Sequence, residues 1–496
     1  MPRPALPPAE VCEQARRSRD PRFDGLFFTG VHSTGIYCRP VCPAPLAGRV
    51  TYYASAAAAE AAGYRPCLRC RPELAPSDGS WRRGDAAIAR ALTLIDRGAL
   101  AEAPLAALAD RVGVGERQLR RLFVERLGAA PVAVHGTRRL LFAKQLLTET
   151  ALPVTEVAMA AGFNSLRRFN AAFREAYRMA PRDLRREGGG AARAGGDTLV
   201  LRLGYRPPHD VDALLGFLRA RALPGVEYVD DVAYARVVEG APGAPPGWLR
   251  VSRWPGDEHA LRLELHASLA TRLLDVVQRL RRMFDLDADP AVIADALRAD
   301  PRLRPLLARR PGLRLPGGWD GFETAMRAVL GQQVSVAAAR TLATRLVDAL
   351  GERAPDGLPH GLARRFPTPE AVAAADLADL GLTRARAAAL RSVARAVAEG
   401  RVGFSAERGL DDFIARWTAL PGIGDWTAHY LALRVLGHPD AFPAGDLVLR
   451  DALADGGPRP TPAAVAARAA AWRPWRAYAA VHLWTDAAPP PRTPAP

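Results

Sequence analysis

The chain has 496 residues, enough for three or four domains, and 49% of them are hydrophobic, so each domain can build a core. Its formal net charge of +16 favours a polyanionic partner, nucleic acid first. The sequence has no apolar run near the ~18 residues of a membrane span and no signal-peptide core, so we predict a cytoplasmic protein without a membrane partner.

The first feature along the chain is a cluster of cysteines, Cys38, Cys42, Cys67 and Cys70. The first two are separated by three residues and the last two by two, with 24 residues between the pairs. In a reducing compartment, two close thiolate pairs indicate a tetrahedral Zn²⁺ site rather than disulfides. The spacing itself favours a structural zinc.

The segments HSTGIYCRPVC and YYASAAAAEAAGYRPCLRCRPE resemble the N-terminal domain of the Ada adaptive-response family over roughly residues 10–75. The resemblance implies that Cys38 accepts a methyl group from a methylphosphotriester in DNA. A zinc-bound thiolate is a suitable nucleophile, and methylation would remove one negative charge and tighten DNA binding. Nearby arginines are candidates for holding phosphates: Arg39, Arg65, Arg69 and Arg71.

Residues 84–186 show a helical pattern with two helix-turn-helix units. In the first, Leu105–Leu127, a glycine turn at Gly113 separates an apolar helix from an arginine-rich one. The second, Val154–Pro181, resembles the AraC-type transcription-factor signature through Gly162, Phe163, Phe169, Phe173 and Pro181. It departs from that signature at Tyr177-Arg178-Met179, where the family usually has a glycine. The candidate recognition residues are Gln118, Arg120, Arg121, Ser165, Arg167 and Arg168.

A glycine-rich segment, 187–197, predicts a linker. After it the alternating run TLVLRLGY predicts a strand from Thr198. Further strand-like runs are Val226–Val238, Trp248–Arg253 and Ala260–Leu265, and from Ser268 the pattern is helical up to Trp484. The tail 487–496 is predicted to be disordered.

The stretch Leu420–Asp451 begins with LPGIG, which predicts a helix-hairpin-helix turn. Gly422 and Gly424 would let backbone N–H groups approach a DNA phosphate at the start of the next helix. Candidate ligands for a monovalent cation bridging to that phosphate are the carbonyls of Thr418, Leu420 and Ile423. Together with Asp446, this hairpin resembles the helix-hairpin-helix glycosylase superfamily.

Further segments resemble the AlkA-type 3-methyladenine glycosylases, from about Thr198 to Trp484: LLGFLRARAL, FETAMRAVLGQQVSVAAARTLATRL, FPTPEAVAAADLADLGL and WRPWRAYAAVHLW. The resemblance implies a TATA-protein-like α+β subdomain followed by an all-α catalytic domain. Asp446 would then be the catalytic carboxylate. The base pocket would be lined by Trp426, Tyr430, Trp484 and Phe217, whose ring faces attract cationic bases. Gln333 lies where the family's wedge residue is a leucine.

Bifunctional relatives use a lysine amine to form a Schiff base and nick the strand. The chain has no lysine after Thr198, so we predict a monofunctional glycosylase that leaves an intact abasic site. No cysteine lies beyond Cys70, so we expect no direct reversal of O6-methylguanine.

These inferences combine into a multidomain, mostly α protein. The predicted segments are a zinc domain (1–76), an AraC-type domain (84–186), a linker (187–197), an α+β subdomain (198–284), a glycosylase domain (285–486) and a tail (487–496). The expected partners are double-stranded DNA and RNA polymerase, and the expected state is a monomer. One alternative makes the N-terminal half a DNA-targeting module with structural zinc. Another makes the whole chain a transcription factor whose glycosylase half is inactive.

Overall fold

The computed structural model describes residues 6–46, 48–77, 86–96, 98–187, 197–257, 259–405 and 409–487. The predicted tail and most of the predicted linker, residues 488–496 and 188–196, lie outside the described residues. Within the described ranges, no helix is long and apolar enough to cross a membrane.

The N-terminal part is a small sheet flanked by helices α1 (Ala9–Ser18) and α2 (Ala56–Ala61). Its strands are β1 (Phe28–Val31), β2 (Ile36–Cys38), β3 (Val50–Tyr53) and β4 (Arg65–Pro66). They lie in the order β3-β1-β2-β4, and β4 pairs in parallel with β2. Because β2 ends at Cys38 and β4 ends just before Cys67, this parallel pair brings the two cysteine pairs to one edge of the sheet.

The next part is helical, as its sequence pattern predicts. Its helices are α3 (Ala86–Asp96), α4 (Ala99–Glu102), α5 (Leu105–Val112), α6 (Glu116–Leu127), α7 (Pro131–Glu149), α8 (Val154–Ala160), α9 (Leu166–Tyr177) and α10 (Pro181–Glu187). The pairs α5–α6 and α8–α9 form the two helix-turn-helix units, and the long helix α7 connects them.

An antiparallel sheet in the order β5-β9-β8-β7-β6 follows. It contains β5 (Thr198–Gly204), β6 (Glu227–Val229), β7 (Ala233–Val238), β8 (Gly247–Arg253) and β9 (Ala260–His266), with helices α11 (Val211–Arg219) and α12 (Leu273–Met283). The run Val226–Val238, predicted as one strand-like segment, is a hairpin. It turns at Asp230, whose carboxylate accepts the N–H groups of Val232 and Ala233.

The C-terminal part is helical. Its helices are α13 (Pro290–Leu297), α14 (Leu303–Arg309), α15 (Gly321–Leu330), α16 (Val336–Leu350), α17 (Pro369–Ala374), α18 (Arg384–Ala398), α19 (Leu410–Thr418), α20 (Asp425–Leu436), α21 (Leu447–Ala452), α22 (Pro462–Ala469) and α23 (Arg476–Ala487). Several begin at a Ser, Thr or Asp whose side chain accepts a backbone N–H, which satisfies an otherwise unpaired donor. These caps are Asp289, Asp320, Ser335, Thr368, Thr383, Asp446 and Thr461.

The boundaries between the hydrophobic cores do not coincide with the predicted linker. One core fills the C-terminal helical part. A second combines side chains of helices α7 to α10, such as Phe169 and Phe173, with side chains of the β5-β9 sheet and α12, such as Leu201 and Val276. The second helix-turn-helix unit and the α+β subdomain therefore share one core.

A buried arginine joins the N-terminal sheet to the C-terminal half. Arg206, which is 0% exposed, donates to the carbonyls of Asp24 (2.8 Å), Pro76 (3.2 Å) and Asp287 (2.8 Å). Nearby, Gly204 lies so close to the carbonyl of Leu74 that a Cβ there would come within 2.4 Å of its oxygen. The two parts are therefore in direct contact along the chain segment 204–206.

We expect Arg206→Met to lower the free energy of unfolding by about 3 kcal/mol, because it leaves several buried carbonyls without donors. Urea denaturation followed by tryptophan fluorescence measures this change. The matched control is Arg219→Met, which removes a half-exposed ion pair with Asp231 and should cost less than about 1 kcal/mol. Equal effects of the two substitutions would contradict the role assigned to Arg206.

Candidate functional site

Asp446 lies at the start of helix α21, where three N–H groups point at its carboxylate. Its Oδ1 accepts the backbone N–H of Leu449 (3.0 Å) and the indole N–H of Trp484 (3.0 Å), and its Oδ2 accepts the indole N–H of Trp426 (2.8 Å). The residue is half-buried. Asp446 can therefore be both the cap of α21 and a carboxylate of the candidate site, since it makes both sets of contacts.

The aromatic residues predicted to line the pocket pack beside Asp446. Trp426 and Tyr430, one turn apart on α20, stack with ring centroids 5.1 Å apart and planes inclined by 12°. The ring centroids of Trp484 and Tyr430 are 6.5 Å apart. A base inserted between two rings would separate them by about 7 Å, so the gap between Trp426 and Tyr430 is closed to a base. A base bound at this cluster would therefore stack on one of its outer faces.

Phe217 lies at the far side of this cluster, but the guanidinium groups of two arginines pack over its ring. Arg221 lies 3.6 Å and Arg434 4.8 Å from its centroid. Arg434 also donates to the Tyr430 hydroxyl (2.5 Å). Although burial alone would raise it, the guanidiniums of Arg434 and Arg221 lower the pKa of Tyr430. Arg434 was not predicted from the sequence, although its i,i+4 spacing from Tyr430 on one helix is a usable signal.

The hairpin between α19 and α20 has the geometry of a phosphate site. Gly422 adopts a φ of +84°, and a Cβ there would lie 2.5 Å from the Cβ of Ala389, so only glycine fits. Gly424 is the N-cap of α20, and the space that a Cβ would occupy there is open. Backbone N–H groups at the start of this helix are therefore accessible to an anion.

The GQQVS loop lies against this hairpin. The side chain of Gln332 donates to the carbonyl of Gly422 (3.0 Å) and to the hydroxyl of Thr427 (3.1 Å), while Arg386 donates to the carbonyl of Gln332 (2.6 Å). The next residue, Gln333, is exposed and has a φ of +56°, a left-handed conformation that is uncommon for a residue with a side chain. Gln332 therefore anchors the loop, and the next side chain, that of Gln333, projects from it. Gln332 was not predicted from the sequence.

The candidate recognition arginines lie within the first two turns of α6 and α9. Arg120 and Arg121 are exposed on α6, where Arg120 pairs with Glu116 (2.8 Å). Arg167 and Arg168 are exposed in the first turn of α9. Arg178, at the departure from the AraC-type signature, ends α9 with a φ of +59°, so an arginine takes the left-handed position that suits glycine. The helix ends as the signature predicts, although the residue differs.

The four clustered cysteines come together in space. Ligand atoms of Cys38, Cys42, Cys67 and Cys70 all lie within 4.8 Å of one another. Tetrahedral zinc with bonds of about 2.3 Å separates its sulfurs by about 3.8 Å, so this set fits the ion. The first pair is half-buried and the second pair is buried, so the first pair is the more accessible to solvent. Cys12 is fully buried elsewhere, and burial raises the pKa of its thiol to about 12.

The arginines around this cluster differ in role. Arg39 pairs with Asp24 and donates to the carbonyl of Cys70 (2.8 Å), and Arg71 pairs with Glu73 and Glu149. Both are engaged by carboxylates of the protein and are partly buried, and their predicted contact with phosphates stays a prediction. Arg65 and Arg69 are exposed and remain candidates for that role.

Comparison with protein families gives four matches. The metal binding domain of Ada matches residues 11–73, and a helix-turn-helix domain matches 108–187. The AlkA N-terminal domain matches 200–320, and the HhH-GPD superfamily of base excision DNA repair proteins matches 326–477.

Curated relatives match both the whole chain and its parts. A probable bifunctional transcriptional activator/DNA repair enzyme AlkA from Mycobacterium tuberculosis is 40% identical over 482 residues, 96% of each chain. DNA-3-methyladenine glycosylase 2 of Escherichia coli is 38% identical over 290 residues, 57% of this chain and 95% of that one. The bifunctional transcriptional activator/DNA repair enzyme Ada of Escherichia coli is 44% identical over 124 residues, 24% of this chain and 33% of that one.

Proposed function

The chain belongs to the family of bifunctional AlkA-type transcriptional activators and DNA repair enzymes, and we propose that it excises alkylated bases, of the 3-methyladenine and 7-methylguanine class, from double-stranded DNA. The observation that supports this most is the carboxylate of Asp446, held by two indole N–H groups beside an aromatic cluster. The test is release of methylated bases from alkylated duplex DNA, measured by chromatography. No release by the full-length protein would refute the proposal.

In this mechanism the hairpin binds the DNA backbone through the N–H groups near Gly422 and Gly424. The damaged nucleotide leaves the stack, since its glycosidic bond cannot be reached inside the duplex. The projecting Gln333 fills the space that the nucleotide leaves. As the bond to the base breaks, positive charge develops on the sugar, and the carboxylate of Asp446 stabilises that charge and orients the attacking water. The outer faces of Trp426 and Trp484 receive the base.

The enzyme is monofunctional in this proposal. No lysine lies in the glycosylase half, so water, and not an amine, attacks the sugar. A labelled duplex should therefore remain uncut after base release and break only after treatment with alkali. Nicked product before that treatment would contradict the prediction, and a lesion-free duplex serves as the control.

The N-terminal half supplies the response to damage. Cys38, Cys42, Cys67 and Cys70 would hold Zn²⁺, which would keep their sulfurs deprotonated when bound. The Cys38 sulfur attacks the methyl carbon of a methylphosphotriester: an S–C bond forms, the C–O bond breaks, and the phosphodiester leaves with the electron pair. The transfer happens once per chain, since a thioether does not return the methyl group.

Methylation removes one negative charge beside exposed Arg65 and Arg69, which strengthens DNA binding. The helix-turn-helix units then bind their promoter through Arg120, Arg121, Arg167 and Arg168, and the monomeric activator recruits RNA polymerase. The second candidate function is a targeting module with structural zinc only. The burial of Cys67 and Cys70 is consistent with it, and it predicts a protein that never gains a methyl group.

A further inference from the structure

Lys144 is one lysine among 68 basic residues, the others all being arginine. Its side chain, on helix α7, is 2% exposed. Its ammonium donates to the carbonyl of Cys67 (3.3 Å) and pairs with the carboxylate of Glu73, which is 0% exposed. A lysine ammonium is a compact point charge, whereas arginine carries a wide planar fork. The space between a zinc ligand and Glu73 therefore suits lysine by shape as well as by charge.

Lys144 belongs to a larger buried cluster. Glu73 also accepts from Arg71 (3.0 Å), and Arg71 reaches Glu149 at the end of α7 (2.6 Å). Glu149 accepts the backbone N–H of Arg202 in strand β5 (3.1 Å). We call Lys144, Glu73, Arg71 and Glu149 the junction. The cysteine segment 67–73, helix α7 and the α+β sheet meet at these residues.

The junction links the cysteine segment 67–73 to α7 through ion pairs and hydrogen bonds. Separating a buried ion pair leaves an uncompensated charge, so such pairs resist separation. The segment is bound to α7 at Cys67 through Lys144, and at Arg71 through Glu149. Helix α7 in turn connects the two helix-turn-helix units. These contacts therefore form a continuous path from the cysteine segment to the helix-turn-helix units.

We propose that Lys144 is a positioning residue that couples the cysteine segment of the zinc site to helix α7, so that a change at the sulfurs alters DNA binding by the helix-turn-helix units. This inference rests on the proposed function, in which methylation of Cys38 is the change that is sensed. Lys144 itself touches neither DNA nor the reacting atoms.

The test measures hydrogen–deuterium exchange of peptides from 131–149 in the full-length protein, with zinc bound and after chelation. In the wild type we expect chelation to speed exchange about tenfold. In Lys144→Met, with zinc binding verified by the absorbance of the cobalt-substituted site, we expect that ratio to fall at least threefold, since the link to the segment is gone. Arg401→Met, an exposed substitution in the C-terminal half, is the control and should keep the wild-type ratio.

A wild-type ratio in metal-bound Lys144→Met would overturn the proposal. If that variant does not fold, Lys144→Arg keeps the charge but not the shape, and it should give a ratio below the wild type. An unchanged ratio in Lys144→Arg would equally overturn the proposal. The methyl group is followed separately by intact mass. A wild type that gains none refutes the proposed sensor function, whereas the exchange ratios still decide whether Lys144 couples the two elements.

Discussion

Asp446→Asn should lower the single-turnover rate of base excision by about 10²–10³-fold, the loss typical when a group that stabilises transition-state charge is removed. The substitution removes the negative charge and turns an amide N–H₂ or an uncharged oxygen toward the indoles of Trp426 and Trp484. It should not unfold helix α21, because asparagine is as good an N-cap as aspartate. The measurement is excision from a lesion-bearing duplex at saturating enzyme, with DNA affinity measured in parallel.

Asp451→Asn is the matched control for this experiment. It removes a carboxylate from the same short helix, but one that is exposed and paired with Arg459. Its excision rate should stay within about twofold of the wild type, since exposed ion pairs contribute little. If Asp446→Asn were as active as this control, another group would have to stabilise the sugar cation.

Cys38→Ser should abolish methyl acceptance. The wild-type protein, incubated with methylphosphotriester DNA, should gain one methyl group by intact mass, and peptide mapping should place it on Cys38. Serine gives no gain, because its hydroxyl is not a nucleophile at neutral pH as a thiolate is. Mapping matters because Cys42, like Cys38, is half-buried rather than buried.

Cys12→Ala provides the control for methyl transfer. Cys12 is fully buried, and burial raises the pKa of its thiol to about 12, so it is not a nucleophile at neutral pH. The Cys12→Ala protein should therefore still gain one methyl group. No methyl group in the wild type with zinc bound would instead favour the targeting module with structural zinc, whereas a methyl group on Cys42 would contradict the assignment of Cys38 as the acceptor.

Local patterns in the sequence predicted much of the fold. The alternation in TLVLRLG gives strand β5, because every second side chain is buried. The segment Val226–Val238 was predicted as one strand-like run because its apolar residues continue through the turn at Asp230. The helix-hairpin-helix turn was predictable because it needs a glycine at position 422, where the backbone conformation and the nearby Ala389 leave no room for a side chain.

Contacts between distant segments could not be read from such patterns. Arg206 and Asp24 are 182 positions apart, Gln332 and Gly422 are 90 apart, and Lys144 and Cys67 are 77 apart. Each contact depends on the packing of whole elements, which periodicity does not encode. The sequence does signal Lys144 by composition, since a chain that uses arginine elsewhere has a lysine there. The pairing of Asp446 with two indoles was likewise visible only in three dimensions.

The core shared by helices α7 to α10 and the β5-β9 sheet also bears on how such a fusion can evolve. A gene divided between these segments would yield two products, each exposing an apolar face that includes Phe173 on one side and Leu201 on the other. Such faces promote aggregation unless the two products reassociate. Division of the gene would therefore require polar substitutions on both faces, whereas the fused gene requires none. The fused state is thus the more readily maintained in evolution.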